Sequence, residues 1–253
     1  MHQTQSIRTL IAVPFAVLTA LLLMGCSSTQ KIQSAWQPVD TLRVDGQTNE
    51  WDTIRPQYYD EDSRLAVRTM NNEDDLFICL TVGSRNMARK VMHSGLTLTL
   101  GFDNTEGQDV ALTIKPGEEP EKSERQNRDQ PRPQNAMTAP AGIAITVPPS
   151  VHPTDLTPSE ARKKGIEMLL TQDRFDRLIL EARLNLKAMA LLANTTPGTS
   201  VTLEITSPET TPPKASGGKR AGGKGRRGGR GSSRSAATPL KAELEINLAS
   251  SGA

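Results

Sequence analysis

An all-β fold, an antiparallel β-sandwich of about ten strands with short connecting helices and two long disordered loops, follows from three observations. Short runs with β-type patterning recur along the chain between turn residues, helical patterning is confined to two or three short pieces, and two polar, breaker-rich stretches interrupt the pattern. Around ten strands joined by irregular connections, with helices only as short connectors, argue for two packed antiparallel sheets.

The chain opens "MHQTQSIRTLIAVPFAVLTALLLMGCSS". A short polar region carrying Arg8 precedes an apolar run over residues 10–24, closed by Gly25 and Cys26. The run is too short to cross a bilayer comfortably and fits the hydrophobic region of a secretory signal; Pro14 inside it and the small residues at its end count against a buried core helix. Residues 23–26, "LMGC", resemble a bacterial lipobox. That resemblance implies a signal peptide over residues 1–25, diacylation of Cys26, and a mature chain held at the membrane by acyl chains, each buried methylene contributing about 0.8 kcal/mol. By resemblance to lipoprotein sorting rules, Ser27 and Ser28, with no Asp directly after the cysteine, imply the outer membrane of a Gram-negative cell envelope. Residues 26–40 then read as a lipidated N-terminus and linker, and residues 41–249 as the sandwich domain.

Strands are expected at "TLRVDG" (41–46), "RLAVRTM" (64–70), "DLFICLTV" (75–82), "LTLTLGFD" (96–103) and "VALTIKPG" (110–117), then at "GIAITVP", "GIEMLLT", "RLILEARLNL", "SVTLEITSPE" and "LKAELEINLA". In "LTLTL" the strict alternation points the leucines to a core and the threonines outward. Helices are expected over 85–92, 157–165 and 186–194; for the second, Thr157 is placed as N-cap, Pro158 at the first helical position and Glu160 as the partner that completes a capping box. Cys79 is the one cysteine besides Cys26, so no intrachain disulfide forms once Cys26 is lipidated, and its apolar strand context makes it a small packing residue.

The two loops are disordered insertions at 118–140, charged and broken by prolines, and at 210–238. The second lies between two well-patterned strands and is therefore an insertion in a hairpin, tolerable because loop-closure entropy grows slowly with length. The whole chain is nearly neutral, 30 Lys+Arg against 28 Asp+Glu, but this insertion holds eight cations and no acid, so the rest is net acidic. Mobile Gly/Arg sequence can track a polyanion. An exported chain meets lipopolysaccharide, lipid headgroups or acidic glycans rather than intracellular nucleic acid, which makes Lys219, Arg220, Lys224, Arg226, Arg227 and Arg230 polyanion-binding candidates. An electrostatic tether and a solvated loop without a partner both fit this sequence.

The stretch "VDGQTNEWD" (44–52), followed by "RLAVRTMNNEDDLFICLTV", resembles the opening of the family-9 carbohydrate-binding modules and their DOMON-like relatives. Those domains open with a strand ending in Asp-Gly, a turn with Glu-Trp, and a hairpin whose tip carries Asn or Asp before a "LFI" strand. Asp45 and Gly46 match the first feature, Glu50 and Trp51 the second, and residues 71–75 with Leu76, Phe77 and Ile78 the third. "LTLTLGFDNTEG" and "ILEARLNLKAM" resemble later strands, although Asn185 and Leu186 stand where the family has an Ile-Pro pair. The likeness runs over 41–248, interrupted by both loops, and implies a non-catalytic, carbohydrate-binding sandwich.

Trp51 has two readings: a platform whose indole face stacks on a pyranose, or a plug for one end of the sandwich around which Asp45 and Glu50 organise a turn. Aromatic residues are only 3% of the chain, and Phe77, Phe102 and Phe175 occupy mostly core-type positions, so Trp36, Tyr58 and Tyr59 are the remaining platforms. "RPQYYDED" combines two rings with carboxylates that accept hydroxyl hydrogens. The candidate ligand-binding residues are thus Trp51, Tyr58 and Tyr59. "DNTEGQD" (103–109) offers oxygens for calcium without the spacing of an EF-hand loop, His93 and His152 lack partners at zinc-ligand spacing, and Met70, Met87 and Met92 read as packing residues rather than heme ligands. No nucleophile elbow, phosphate loop or HExxH occurs, so no enzyme is expected. The expected function is a non-catalytic, membrane-anchored lipoprotein that binds glycan at the cell envelope. The alternative is a structural or protein-interaction lipoprotein without a sugar ligand, its Gly/Arg loop tethering it to anionic surfaces.

Overall fold

Described in the computed structural model are residues 29–38, 42–102, 108–115, 142–147, 150, 152–173, 175–208 and 239–251. The chain separates into two units, Met1–Gln30 and Lys31–Ala253. Of the first, only Thr29 and Gln30 are described; the second carries the sandwich.

One sheet contains, in spatial order, β1 (Gln30–Gln33), β13 (Lys241–Asn247), β12 (Ser200–Thr206), β6 (Leu96–Phe102), β7 (Val110–Lys115), β8 (Gly142–Thr146) and β9 (Thr154–Leu156). The other contains β10 (Ile166–Gln172), β11 (Leu178–Asn185), β5 (Asp75–Val82), β4 (Leu65–Asn71) and β2 (Ala35–Trp36), with β3 (Tyr58–Asp60) also paired to β4. Three short helices, α1 (Arg85–Ser94), α2 (Pro158–Lys163) and α3 (Leu186–Leu192), connect strands. β2 runs parallel to β4, whereas the neighbours from β12–β13 through β9, and those from β10 through β4 with β3, pair antiparallel.

Alternation builds the main core. Leu96, Leu98 and Leu100 of β6 are buried while Thr97 and Thr99 are half-buried, and Leu112, Leu203 and Leu244 from the neighbouring strands join the same cluster. From the facing sheet come Leu65 and Val67 of β4 with Leu76, Ile78 and Leu80 of β5. The other face of β5 is covered as well: Phe77 and Cys79 belong to a second cluster with Leu42, Trp51, Met70 and Ile179. Burial on both faces is why "DLFICLTV" reads as a continuous apolar run instead of an alternating one. Cys79 is completely buried; that burial, with the nearby Glu181 carboxylate, pushes its thiol up to about 12.

The capping box at α2 forms as expected, Thr157 N donating to Glu160 Oε2 at 2.8 Å and Glu160 N to Thr157 Oγ1 at 3.3 Å. Gly165 follows at φ +75°, and a Cβ there would lie 2.6 Å from the Cβ of Asn185, so only glycine serves at this turn. Asn185 itself caps α3, its Oδ1 accepting from Ala188 N at 3.0 Å while its Nδ2 donates to Asp75 Oδ1 at 3.1 Å. Those two bonds give Asn185 a local role at the position where the resembling family carries its Ile-Pro pair.

Three expectations change. Residues 42–46 are not a strand, because the backbone amides of Arg43, Asp45 and Gly46 donate to side-chain carboxylates instead of a neighbouring strand. The stretch read as linker over 26–40 contains β1 and β2; Ser34 N donates to Asn247 O and Gln37 N to Asn71 O, both at 2.9 Å. Short strands β3 and β9 also went unread, each being three residues long. The hairpin that was expected to hold the Gly/Arg insertion is present as β12 paired with β13, closed at its base by Ser207 N to Leu240 O at 3.0 Å. The insertion itself, like residues 118–140, lies outside the described residues.

Candidate functional site

Glu181 on β11 is 1% exposed, and each oxygen of its carboxylate is used. Oε2 accepts from the amides of Asp45 at 3.0 Å and Gly46 at 2.7 Å, and Oε1 accepts from the indole Nε1 of Trp51 at 3.1 Å. A single carboxylate thus holds both halves of the "VDGQTNEWD" motif against the outer face of β11. Gly46 takes φ +79°, and a Cβ there would sit 2.7 Å from Thr171 Cγ2, so the close approach to β10 requires glycine. Asp45 Oδ1 accepts from Gln47 N at 2.8 Å, and Glu50 Oε2 from Arg43 N at 3.2 Å, which finish the turn. Burial is the main reason that Glu181 is pushed up to about 7; the Asp45 charge acts in the same direction, and the two amides and the indole pull against it.

This turn forms one wall of a cleft of about 660 Å³, whose other wall is the turn between β10 and β11. Asp173 organises the second wall: its Oδ1 accepts from the amides of Phe175 and Arg177, each at 2.9 Å, and its Oδ2 from Arg177 Nε at 2.7 Å. Phe175 is left 63% exposed with the Arg177 guanidinium carbon 5.5 Å from its ring centroid. Opposite are Gln47, Asn49 and Asp52, and Gln172, its Nε2 donating to Asp176 O at 3.3 Å, also lines the cleft. Side-chain amides both donate and accept, carboxylates accept, and an exposed ring stacks on apolar C–H faces, so the cleft sets hydrogen-bonding groups beside a stacking surface.

The residues singled out from the sequence fare differently. Trp51 is 3% exposed, packed against Phe77, Cys79 and Ile179 with its N–H spent on Glu181, so it is a plug and offers no ring face to a ligand. Asp45, Gly46 and Glu50 are turn-formers around it. Tyr58 is half-buried against the main core, and burial followed by the Asp60 charge raises its phenol above the ordinary value. Tyr59, on the same short strand, is 56% exposed. Trp36 is half-buried, in a recess of about 290 Å³ with Asn71 and Asn72. Phe175 corrects the expectation of a core position: flanked by charged residues in "DRFDR", it falls at the tip of a hairpin. Glu181 was also missed as a site residue; its signal was an acid in the middle of a largely apolar strand, "LILEARL". Cys26, Lys219, Arg220, Lys224, Arg226, Arg227, Arg230 and most of the 103–109 turn lie outside the described residues.

A raised carboxyl makes a prediction with a definite sign. The native chain holds a proton on Glu181 that the unfolded chain releases between pH 4.5 and about 7, so stability rises as pH falls through that window, by about 3 kcal/mol at most. Thermal melts of the wild-type protein and Glu181→Gln across pH 5–8 check this: the wild type gains stability on acidification relative to the variant, and parallel pH profiles would contradict it.

No protein-family model matches this chain, and no curated protein matches it. Among solved structures, a carbohydrate binding module family 9 from Caldicellulosiruptor kristjanssonii in complex with glucose matches at 12% identity and a TM-score of 0.37, covering 70% of this chain and 78% of that chain. A carbohydrate binding module family 9 from the same organism in complex with cellotriose matches at the same identity and TM-score, covering 70% of this chain and 76% of that one.

Proposed function

We propose that this chain is a non-catalytic, lipid-anchored protein of the cell envelope whose sandwich binds a neutral saccharide in the cleft between the 45–52 turn and the β10–β11 turn. The observation that carries the reading is Phe175, an exposed phenyl fixed by Asp173 and Arg177 beside side-chain amides and carboxylates. A large apolar ring left in water costs solvation free energy, and a hydroxylated ring that stacks on it recovers that loss while its hydroxyls satisfy the amides opposite. The lipid anchor rests on the lipobox-like "LMGC" that closes an apolar leader.

The purified full chain is screened on a glycan array at low and high salt. A neutral saccharide is bound in a salt-resistant manner, and Phe175→Ala weakens that binding roughly tenfold or more, as expected for loss of a stacking contact with its buried area. Unchanged binding by the variant would remove the cleft from the account. The eight cations of residues 214–235 favour a second reading, an envelope interaction protein without a sugar ligand. It gains if the array shows only salt-sensitive binding to anionic glycans that is lost on deleting 216–235. For the anchor, Cys26→Ala moves the protein out of the membrane fraction after cell lysis; retention there would contradict lipidation as the attachment.

A further inference from the structure

We propose that a second cleft, between α2 and α3, binds the headgroup of an anionic phospholipid, with the phosphate on Lys163 and Lys164 and the first apolar segment against Leu191. The cleft has a volume of about 770 Å³ and is bounded by the C-terminal turn of α2, Gly165, the ends of β10 and β11, and α3. Its residues are distinct from those of the saccharide cleft, so either assignment can fail without the other.

Charge is the first argument. The acids that line the cleft are each matched by a cation: Asp74 by Lys187 at 2.6 Å, Asp75 by Arg183 at 2.8 Å, and Glu167 by Arg162 at 3.2 Å. Lys163 and Lys164 are exposed and form no salt bridge among the described residues, although Lys163 is close enough to the exposed Glu160 to add to the Thr157 hydrogen bonds that lower its carboxyl; Glu160 does not line the cleft, which carries surplus positive charge. The frame around them is fixed: Gly165 is pressed against Asn185, and Arg183 is held by Asp75 with its guanidinium carbon 5.6 Å from the Phe77 ring centroid.

Apolar surface is the second argument. Ala188, Leu191 and Leu192 stand three and four residues apart, on one face of α3, and all three line the cleft. Leu191 is 79% exposed, the most exposed of the protein's large hydrophobic residues among those described. A free inorganic anion gives no reason for that leucine, and a purely apolar ligand gives none for the lysines. A phosphate joined to hydrocarbon uses both, since cations at a membrane surface are attracted to anionic headgroups while an adjacent apolar side chain enters the acyl boundary. The volume suits a headgroup with part of its glycerol backbone.

The test titrates the full chain with dihexanoyl phosphatidylglycerol below its micelle concentration, with dihexanoyl phosphatidylcholine, and with inorganic phosphate, by calorimetry. Phosphatidylglycerol binds best, and Lys163→Ala with Lys164→Ala weakens it roughly 30-fold, from the contribution of two surface lysines facing anionic lipid. Leu191→Ser weakens the lipid and leaves inorganic phosphate unaffected. All three positions are exposed, so thermal melts of the variants match the wild type, and the Gly/Arg segment is intact in each, so that a loss reports the cleft. Equal affinity for the two lipids, inorganic phosphate binding as tightly as phosphatidylglycerol, or variants that bind like the wild type would each overturn the proposal.

Discussion

One buried carboxylate faces three N–H donors, and the outer face of the smaller sheet depends on that arrangement. Residues 42–51 cross this face without joining a strand, so their amides need acceptors from elsewhere, and Glu181 supplies them to Asp45 and Gly46. Trp51 then closes over Phe77, Cys79 and Ile179 with its indole N–H on the same group. All three partners donate, which suits an acceptor-only carboxylate and not an amide, one end of which would present N–H to N–H. The cost is desolvation, visible in the raised Glu181 carboxyl, and it is offset because losing the acceptor would leave the buried Trp51 indole N–H unpaired, at about 1–3 kcal/mol, together with two part-buried amides.

That arrangement also places the candidate site. Both walls of the cleft beside Phe175 are fixed to a single hairpin: the 45–52 turn through Glu181 on β11, and the Phe175 turn through Asp173 between β10 and β11. Side chains that face a ligand from such walls are preorganised by buried or hydrogen-bonded neighbours, which limits the ordering cost of binding. The α2–α3 cleft has the opposite chemistry, cationic with one exposed leucine, and borrows its rigidity from the Asp75–Arg183–Asn185 network. A protein proposed to sit at a membrane while holding a glycan has use for two such surfaces.

Much of the fold was legible because the local signals agree with one another. "LTLTL" alternates with the period of a one-face-buried strand, "DLFICLTV" runs apolar because β5 is covered on both faces, and Thr157-Pro158 with Glu160 carries a complete helix start. The losses share a cause, since each depends on a partner distant in sequence. Residues 42–46 have strand composition, but Arg43, Asp45 and Gly46 give their amides to Glu50 and Glu181; β1 and β2 are short and pair with β13 and β4. The aromatic residues show the same limit. Of the two readings of Trp51, platform and plug, its burial selects the plug, whereas Phe175 resembled core and is exposed, because a hairpin tip between charged residues is recognised only once β10 and β11 are paired.

The claim on which the rest depends is that Glu181 alone anchors the Asp-Gly and Glu-Trp ends of the motif. Hydrogen exchange by NMR of the Trp51 indole N–H and the Asp45 and Gly46 amides tests it directly, in the wild type and in Glu181→Met, which keeps the side-chain length and removes the acceptor. The account predicts slow exchange at all three in the wild type, and their joint loss of protection in the variant while amides of β6 and β12 stay protected. Rapid exchange of the Trp51 indole in the wild type, or protection of all three surviving in Glu181→Met, would contradict it.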